Sequence, residues 1–128
     1  VTAATGVTAA AGSAAALAWR SVHEGDFHQT VSQWAGRTLL VFSQPGCGAC
    51  RVAEASVPAA LAGVVQHLVK VDAAAQAALA REFEVFHLPA LHLYIDGRYH
   101  APVQCELTAD ALRAAVARAA CAPAVEAP

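Results

Sequence analysis

Phe42-Ser43-Gln44-Pro45-Gly46-Cys47-Gly48-Ala49-Cys50-Arg51 is the stretch on which the rest of the chain is read. It opens on the end of an apolar run, Thr38-Leu39-Leu40-Val41-Phe42, short and β-prone enough to be a buried strand. Gln44-Pro45-Gly46 supplies a turn. A C-x-x-C pair follows, and after it a run of helix formers from Arg51 to Ala62. This order sets Cys47 at or just before the first turn of a helix, where free N–H groups and the macrodipole favour negative charge. A thiolate gains from that field, so the Cys47 thiol is expected to ionise below its free value of about 8.5. Cys50 lies one turn on, within reach of a mixed disulfide formed at Cys47. The geometry suits two-electron thiol–disulfide exchange.

Working outward, the 128 residues suggest one domain with room for a core. A formal net charge of −2 gives no electrostatic footprint for nucleic acid. Hydrophobic content is 57%, but alanine supplies much of it and overstates the core. Lys70 is the one lysine, and methionine is absent, so the numbering is expected to start on a processed or truncated chain. The cysteines at 47, 50, 105 and 121 form one close pair and two distant singles. That spacing looks more like a redox site with spare thiols than a disulfide framework.

Val1 to Leu17 is an Ala-rich extension of low complexity. Three readings compete for it: a disordered lead, an extra helix, or the remnant of a signal or membrane segment. No basic n-region is visible in it. Trp19 to Val22 reads as a short strand, and Asp26 to Trp34 as a helix with Phe27, Val31 and Trp34 on one face. Gly36 ends that helix, and the central strand runs from Thr38 to Phe42. Pro58 lies inside the helix after the C-x-x-C and is expected to kink it. Gly63 is its expected C-cap. Gln66 to Val71 is the next strand, and Asp72 is the expected N-cap of a helix through Glu84. Leu91 to Ile95 and Arg98 to Cys105 form a hairpin about Asp96-Gly97, and Pro102 argues that its second strand is an edge. Thr108 caps a last helix with Leu112 and Val116 inward, and Cys121 to Pro128 is a tail. The order β-α-β-α-β-α-β-β-α predicts an α/β fold, a central sheet with helices on both faces.

Over roughly Trp19 to Ala120 the sequence resembles the thioredoxin family. Lys70-Val71-Asp72, then Leu79, Phe83 and Val85, then Leu88-Pro89-Ala90-Leu91, then Asp96-Gly97 match its pattern in order and spacing. The resemblance implies a thioredoxin fold with a central mixed β-sheet, in a domain taken as residues 18–120. It also implies that Pro89 is cis and packs against the C-x-x-C. Carried over by position, Cys47 is the attacking thiol and Cys50 the resolving thiol. Gly48, Ala49, Leu88 and Pro89 form the apolar rim that docks a substrate in the manner of an added strand. Arg51 takes the place of a basic residue usual after the second cysteine. Several positions depart from the family. The tryptophan before the first cysteine is Gly46, and the middle proline is Ala49. The usual kink proline is Ala55, with Pro58 three residues later. A buried aspartate is Val41, which leaves Lys70 without its usual partner, and a glycine near the rim is Cys105.

Other readings of the pair are a structural disulfide or half of a zinc site. A zinc site usually takes four ligands, and no second C-x-x-C or H-x₃₋₅-H follows at finger spacing. No metal or organic cofactor is implied. His92 reads as a core histidine, while His87 borders the groove beside Pro89 and, when protonated, would favour the Cys47 thiolate. Cys105 reads either as a small apolar residue in a tight spot or as a third thiol that captures the disulfide. Cys121 reads as a spare thiol.

The expected function is dithiol–disulfide exchange that reduces disulfide-containing protein substrates, with a reductase or another dithiol donor to recycle the pair. An oxidant or isomerase in an oxidising compartment is an alternative, as is a non-catalytic binding module. The latter has no need of both Cys47 and Cys50. A monomer in the cytoplasm is expected, with a periplasmic or membrane-anchored form as the other reading.

Overall fold

The computed structural model describes residues 17–128. The Ala-rich extension expected over Val1–Leu17 therefore lies outside the described residues, apart from Leu17, which packs against the core. At the centre is β2 (Arg37–Ser43), buried from Thr38 onward. β3 (His67–Asp72) lies parallel on one side of it and β4 (Ala90–Ile95) antiparallel on the other. A strand covered on both faces shows no polar side, which is why it reads as a continuous apolar run. β1 (Trp19–Arg20) pairs with β3 and β5 (Arg98–Val103) with β4, so the mixed sheet runs β1-β3-β2-β4-β5.

Helices cover both faces. α2 (Gly48–Ala60) and α4 (Ala109–Cys121) bury Ala53, Val57, Leu112 and Val116 against Leu39, Val41, Leu68 and Leu93. On the other face, α1 (Phe27–Val31) and α3 (Ala77–Glu82) place Phe27, Val31 and Leu79 over Leu40, Phe42, Val69 and Tyr94. Alternation along β2 sends Leu39 and Val41 one way and Leu40 and Phe42 the other. The chain has the predicted fold, a thioredoxin fold in element order and topology.

Element ends differ from the sequence reading where long-range partners intervene. β1 stops at Arg20, and α1 stops at Val31, so Trp34 lies in the turn beyond it. There the Arg20 guanidinium lies over its ring, 4.3 Å from the ring centre, and the His67 ring stacks on it. α2 ends at Ala60 with Leu61 as its C-cap, and Gly63 occupies a later turn with φ +79°. Asp72 does not cap α3. It ends β3 and its Oδ1 accepts from the Ala74 and Ala75 N–H groups, holding a turn instead. The first-turn donors of α3, at Ala78 and Leu79, go to the Glu24 carboxylate from the loop after β1. β5 ends at Val103, which puts Cys105 in a loop, and α4 runs on through Cys121. The Asp96-Gly97 hairpin is as read: both residues have positive φ (51° and 79°), as the tight turn requires.

Candidate active site

Cys47 is the N-cap of α2, with an extended backbone (φ −92°, ψ 111°). Gly46 before it has φ +85°, a conformation that glycine enters without strain. The Cys47 Sγ accepts from the Cys50 N–H at 3.1 Å, and its carbonyl accepts from the Arg51 N–H. A first-turn N–H is thus aimed at the sulfur, the local field that favours a thiolate when the pair is reduced. Cys47 is half-buried, whereas Cys50 is 0% exposed. The two are joined in a disulfide with a Cα–Cα distance of 5.2 Å. Gly48 and Ala49 between them are exposed.

Strand register brings the remaining candidates to the same end of the sheet. Phe42 pairs with Ala90, so Pro89 lies beside the end of β2 from which the Cys47 turn departs. The Leu88–Pro89 peptide bond is cis, and both residues are half-buried. Leu91 pairs with Val103, which brings the following Gln104 and Cys105 to that end as well. Here a groove of about 630 Å³ is lined by Phe86, His87, Pro89, His92, Cys105 and Leu107 among others. Phe86 stands at its side 84% exposed. Burial pushes the Cys105 thiol pKa up, with Glu106 adding to the rise and Arg118 opposing it.

A second, polar cleft of about 330 Å³ opens beside Gly46, lined by Ser43, Gln44, Arg51, Glu54, Lys70 and Asp72 among others. Lys70, read from sequence as lacking its partner, has one. Its Nζ meets the Glu54 Oε1 at 3.0 Å. The carboxylate comes from α2 and not from β2, whose Val41 is the register partner of Lys70. Among the described residues, no group of three or more His, Cys, Asp or Glu is placed to hold a metal ion. No helix among them is long and apolar enough to cross a membrane.

A family model for thioredoxin matches residues 18–118. The chain belongs to the thioredoxin family. Solved structures with the same fold include a point mutant of the thioredoxin from Halobacterium salinarum, at 23% identity and TM-score 0.70, covering 91% of this chain and all of that one (100%). Another is thioredoxin NaTrxh from Nicotiana alata, at 20% identity and TM-score 0.66, covering 84% and 97%. The zinc-bound form of human ERp44 matches at 14% identity and TM-score 0.66, over 81% of this chain but only 30% of that protein. No curated protein sequence matches the chain. Family membership together with the Cys47–Cys50 disulfide makes this thioredoxin-family protein a thiol–disulfide oxidoreductase.

The structure therefore brings Cys47, Cys50, Pro89, His87 and Cys105 to one end of the sheet, with Lys70 in the cleft on the other flank. Sequence reasoning missed Glu54, although its place four residues after Cys50 was a usable signal. It also missed how Pro58 is accommodated. Proline has no N–H to give the carbonyl four residues back, which here belongs to Glu54. The Trp19 indole Nε1 donates to that freed carbonyl at 3.0 Å. His92 is the core histidine expected, 8% exposed, with Nδ1 2.8 Å from the Tyr99 hydroxyl. Burial lowers its pKa to about 4, so it is neutral at pH 7.

Proposed function

We propose that the protein reduces disulfides in protein substrates, with Cys47 as the attacking and Cys50 as the resolving thiol. The observation that carries this reading is the asymmetry of the pair. Cys47 is half-buried at a helix start with an N–H aimed at its sulfur, and Cys50 is fully buried one turn on. In the reduced protein the Cys47 thiolate attacks one sulfur of a substrate disulfide. The substrate's S–S bond breaks, its other sulfur leaves as a thiolate, and a mixed disulfide forms at Cys47. Cys50 then attacks the Cys47 sulfur, restoring the intramolecular disulfide and freeing the second substrate thiol. Two electrons pass to the substrate, and a reductase or small dithiol returns them. Gly48, Ala49, Leu88 and Pro89 form the rim against which the substrate segment docks, and exposed Phe86 extends that apolar surface.

No histidine lies between the two cysteines to stabilise the thiolate further, which favours reduction over strong oxidation. The test is insulin reduction by dithiothreitol, which the protein should accelerate, together with Cys50→Ser, which should accumulate covalent mixed disulfides. Neither acceleration nor trapping would leave a binding module as the better account.

A further inference from the structure

Cys50 is fully buried, so its thiol has no direct contact with bulk water. Burial also disfavours the thiolate it must become to attack. A proton acceptor within the fold is needed. On β2 the inward position at this level is Val41, fully buried and without an acceptor atom. Its neighbour on β3 is Lys70, which alternation places on the same face as Leu68. The carboxylate that meets Lys70 is Glu54. Glu54 lies four residues beyond Cys50 on α2, and side chains at that spacing are neighbours along one face of a helix.

Two contacts hold Glu54 in place. Its side chain is tied to Lys70, and its backbone carbonyl, freed by Pro58, is tied to the Trp19 indole. Its side chain is 31% exposed and lines the polar cleft, so a proton taken up there can pass on to water. The other charged groups lining that cleft are Arg51 from α2 and Lys70 and Asp72 from β3. Asp72 is engaged with the turn after β3, which leaves Glu54, on the same helix as Cys50, as the other carboxylate of the cleft.

We propose that Glu54, held by Lys70, accepts the Cys50 proton in the resolving half of the exchange, directly or through a cleft water. The proposal rests on the exchange reading above. The carboxylate takes the proton as the Cys50 thiolate forms. That thiolate bonds to the Cys47 sulfur, the bond from Cys47 to the substrate breaks, and the electron pair leaves on the substrate sulfur. The proton on Glu54 then returns to the departing thiolate or to water. Electrons and protons balance without another reactant.

The test is single-turnover kinetics of the reduced protein with a disulfide-bonded peptide, quenched by acid and alkylation so that both steps are read by mass. Glu54→Gln keeps the shape and an oxygen for Lys70 but removes the base. The formation of the mixed disulfide should stay within about twofold of wild type. Its resolution at pH 7 should slow about tenfold or more, in line with loss of a general base. The pH profile carries the decisive signature. Wild-type resolution should vary little across neutral pH, because the proton passes to the Glu54 base and not to hydroxide. In Glu54→Gln it should rise about tenfold per pH unit, following hydroxide until the thiol itself titrates. Equal slowing of both steps in Glu54→Gln, or an unchanged resolution profile, overturns the proposal and leaves the exchange reading standing. If the wild type forms no mixed disulfide at all, the exchange reading falls and the proposal with it.

Discussion

The two faces of the sheet are built from different materials. Under α2 and α4 the buried side chains are leucine, valine and alanine. Under α1 and α3 they include Phe27, Phe42, Phe83 and Tyr94, with Phe83 5.2 Å from the Phe42 ring centre and 5.0 Å from that of His92. Polar groups are also treated differently. On the aromatic face His92 and Tyr99 pair with each other, and burial favours the neutral form of both, lowering the histidine pKa and raising the tyrosine pKa. On the aliphatic face Glu54, from the helix that carries the dithiol, pairs with Lys70 at the edge of a solvent cleft. The contrast teaches that stability and chemistry are largely separated across one sheet. Large rings hold one side, while small side chains on the other let α2 seat its first turn over the end of β2.

The sharpest way to break this contrast is at the dithiol. Cys47→Ser should lower exchange by on the order of a thousandfold or more, as loss of a nucleophile does. Its hydroxyl can still accept from the first turn as an N-cap. Reduced wild type and variant should therefore unfold at similar denaturant concentrations. A large loss of stability would mean that the site and the fold are not separable.

The opposite move is Phe27→Ala, on the face away from the cysteines. Phe27 is 0% exposed and meets Phe83 and Tyr94 edge-on. Its truncation should cost about 3–5 kcal/mol in denaturant unfolding. The exchange rate of the folded fraction should remain near that of wild type. A matching fall in rate would show that the two faces are coupled.

A smaller effect is expected from pH on the aromatic face. The folded-state pKa of His92, about 4, is below the ordinary 6.5. The unfolded chain therefore binds a proton first as pH falls, and the native state loses stability between about pH 6.5 and 4. Part of the ring reaches the groove, and a loss of about 2 kcal/mol is expected. Denaturant midpoints across that range should show it, and His92→Phe should flatten that part of the profile. An unchanged slope in the variant would assign the acid limb to other groups.

The smallest effect lies at the edge of the aliphatic face. Trp19→Phe keeps the ring but leaves the Glu54 carbonyl without its donor. A loss of about 1 kcal/mol is expected for one hydrogen bond. No change in stability would indicate that water takes over the indole's role.

Much of this could be read along the chain because it depends on near neighbours. Strand, turn, C-x-x-C and helix formers are contiguous, so Cys47 at the start of α2 followed from order alone. The apolar run at β2, the Asp96-Gly97 hairpin and the edge position signalled by Pro102 are likewise local. They rest on periodicity, positive φ and the missing N–H of proline. Tertiary structure alone decided where distant groups answer one another. Asp72 was a sound local cap for α3, yet the Glu24 carboxylate reached α3 from the loop after β1 and Asp72 turned to a nearer task. Pro58 announced a broken bond in α2, but its freed carbonyl was met by Trp19, far back in the chain. By resemblance Lys70 lacks its usual partner, because Val41 stands where the family has an aspartate, and only the packing of α2 brings Glu54 within 3.0 Å of it. Local sequence sets backbone propensities. Which carboxylate satisfies which cation depends on the angle at which a helix crosses a sheet, and that angle is set by side chains from all over the chain.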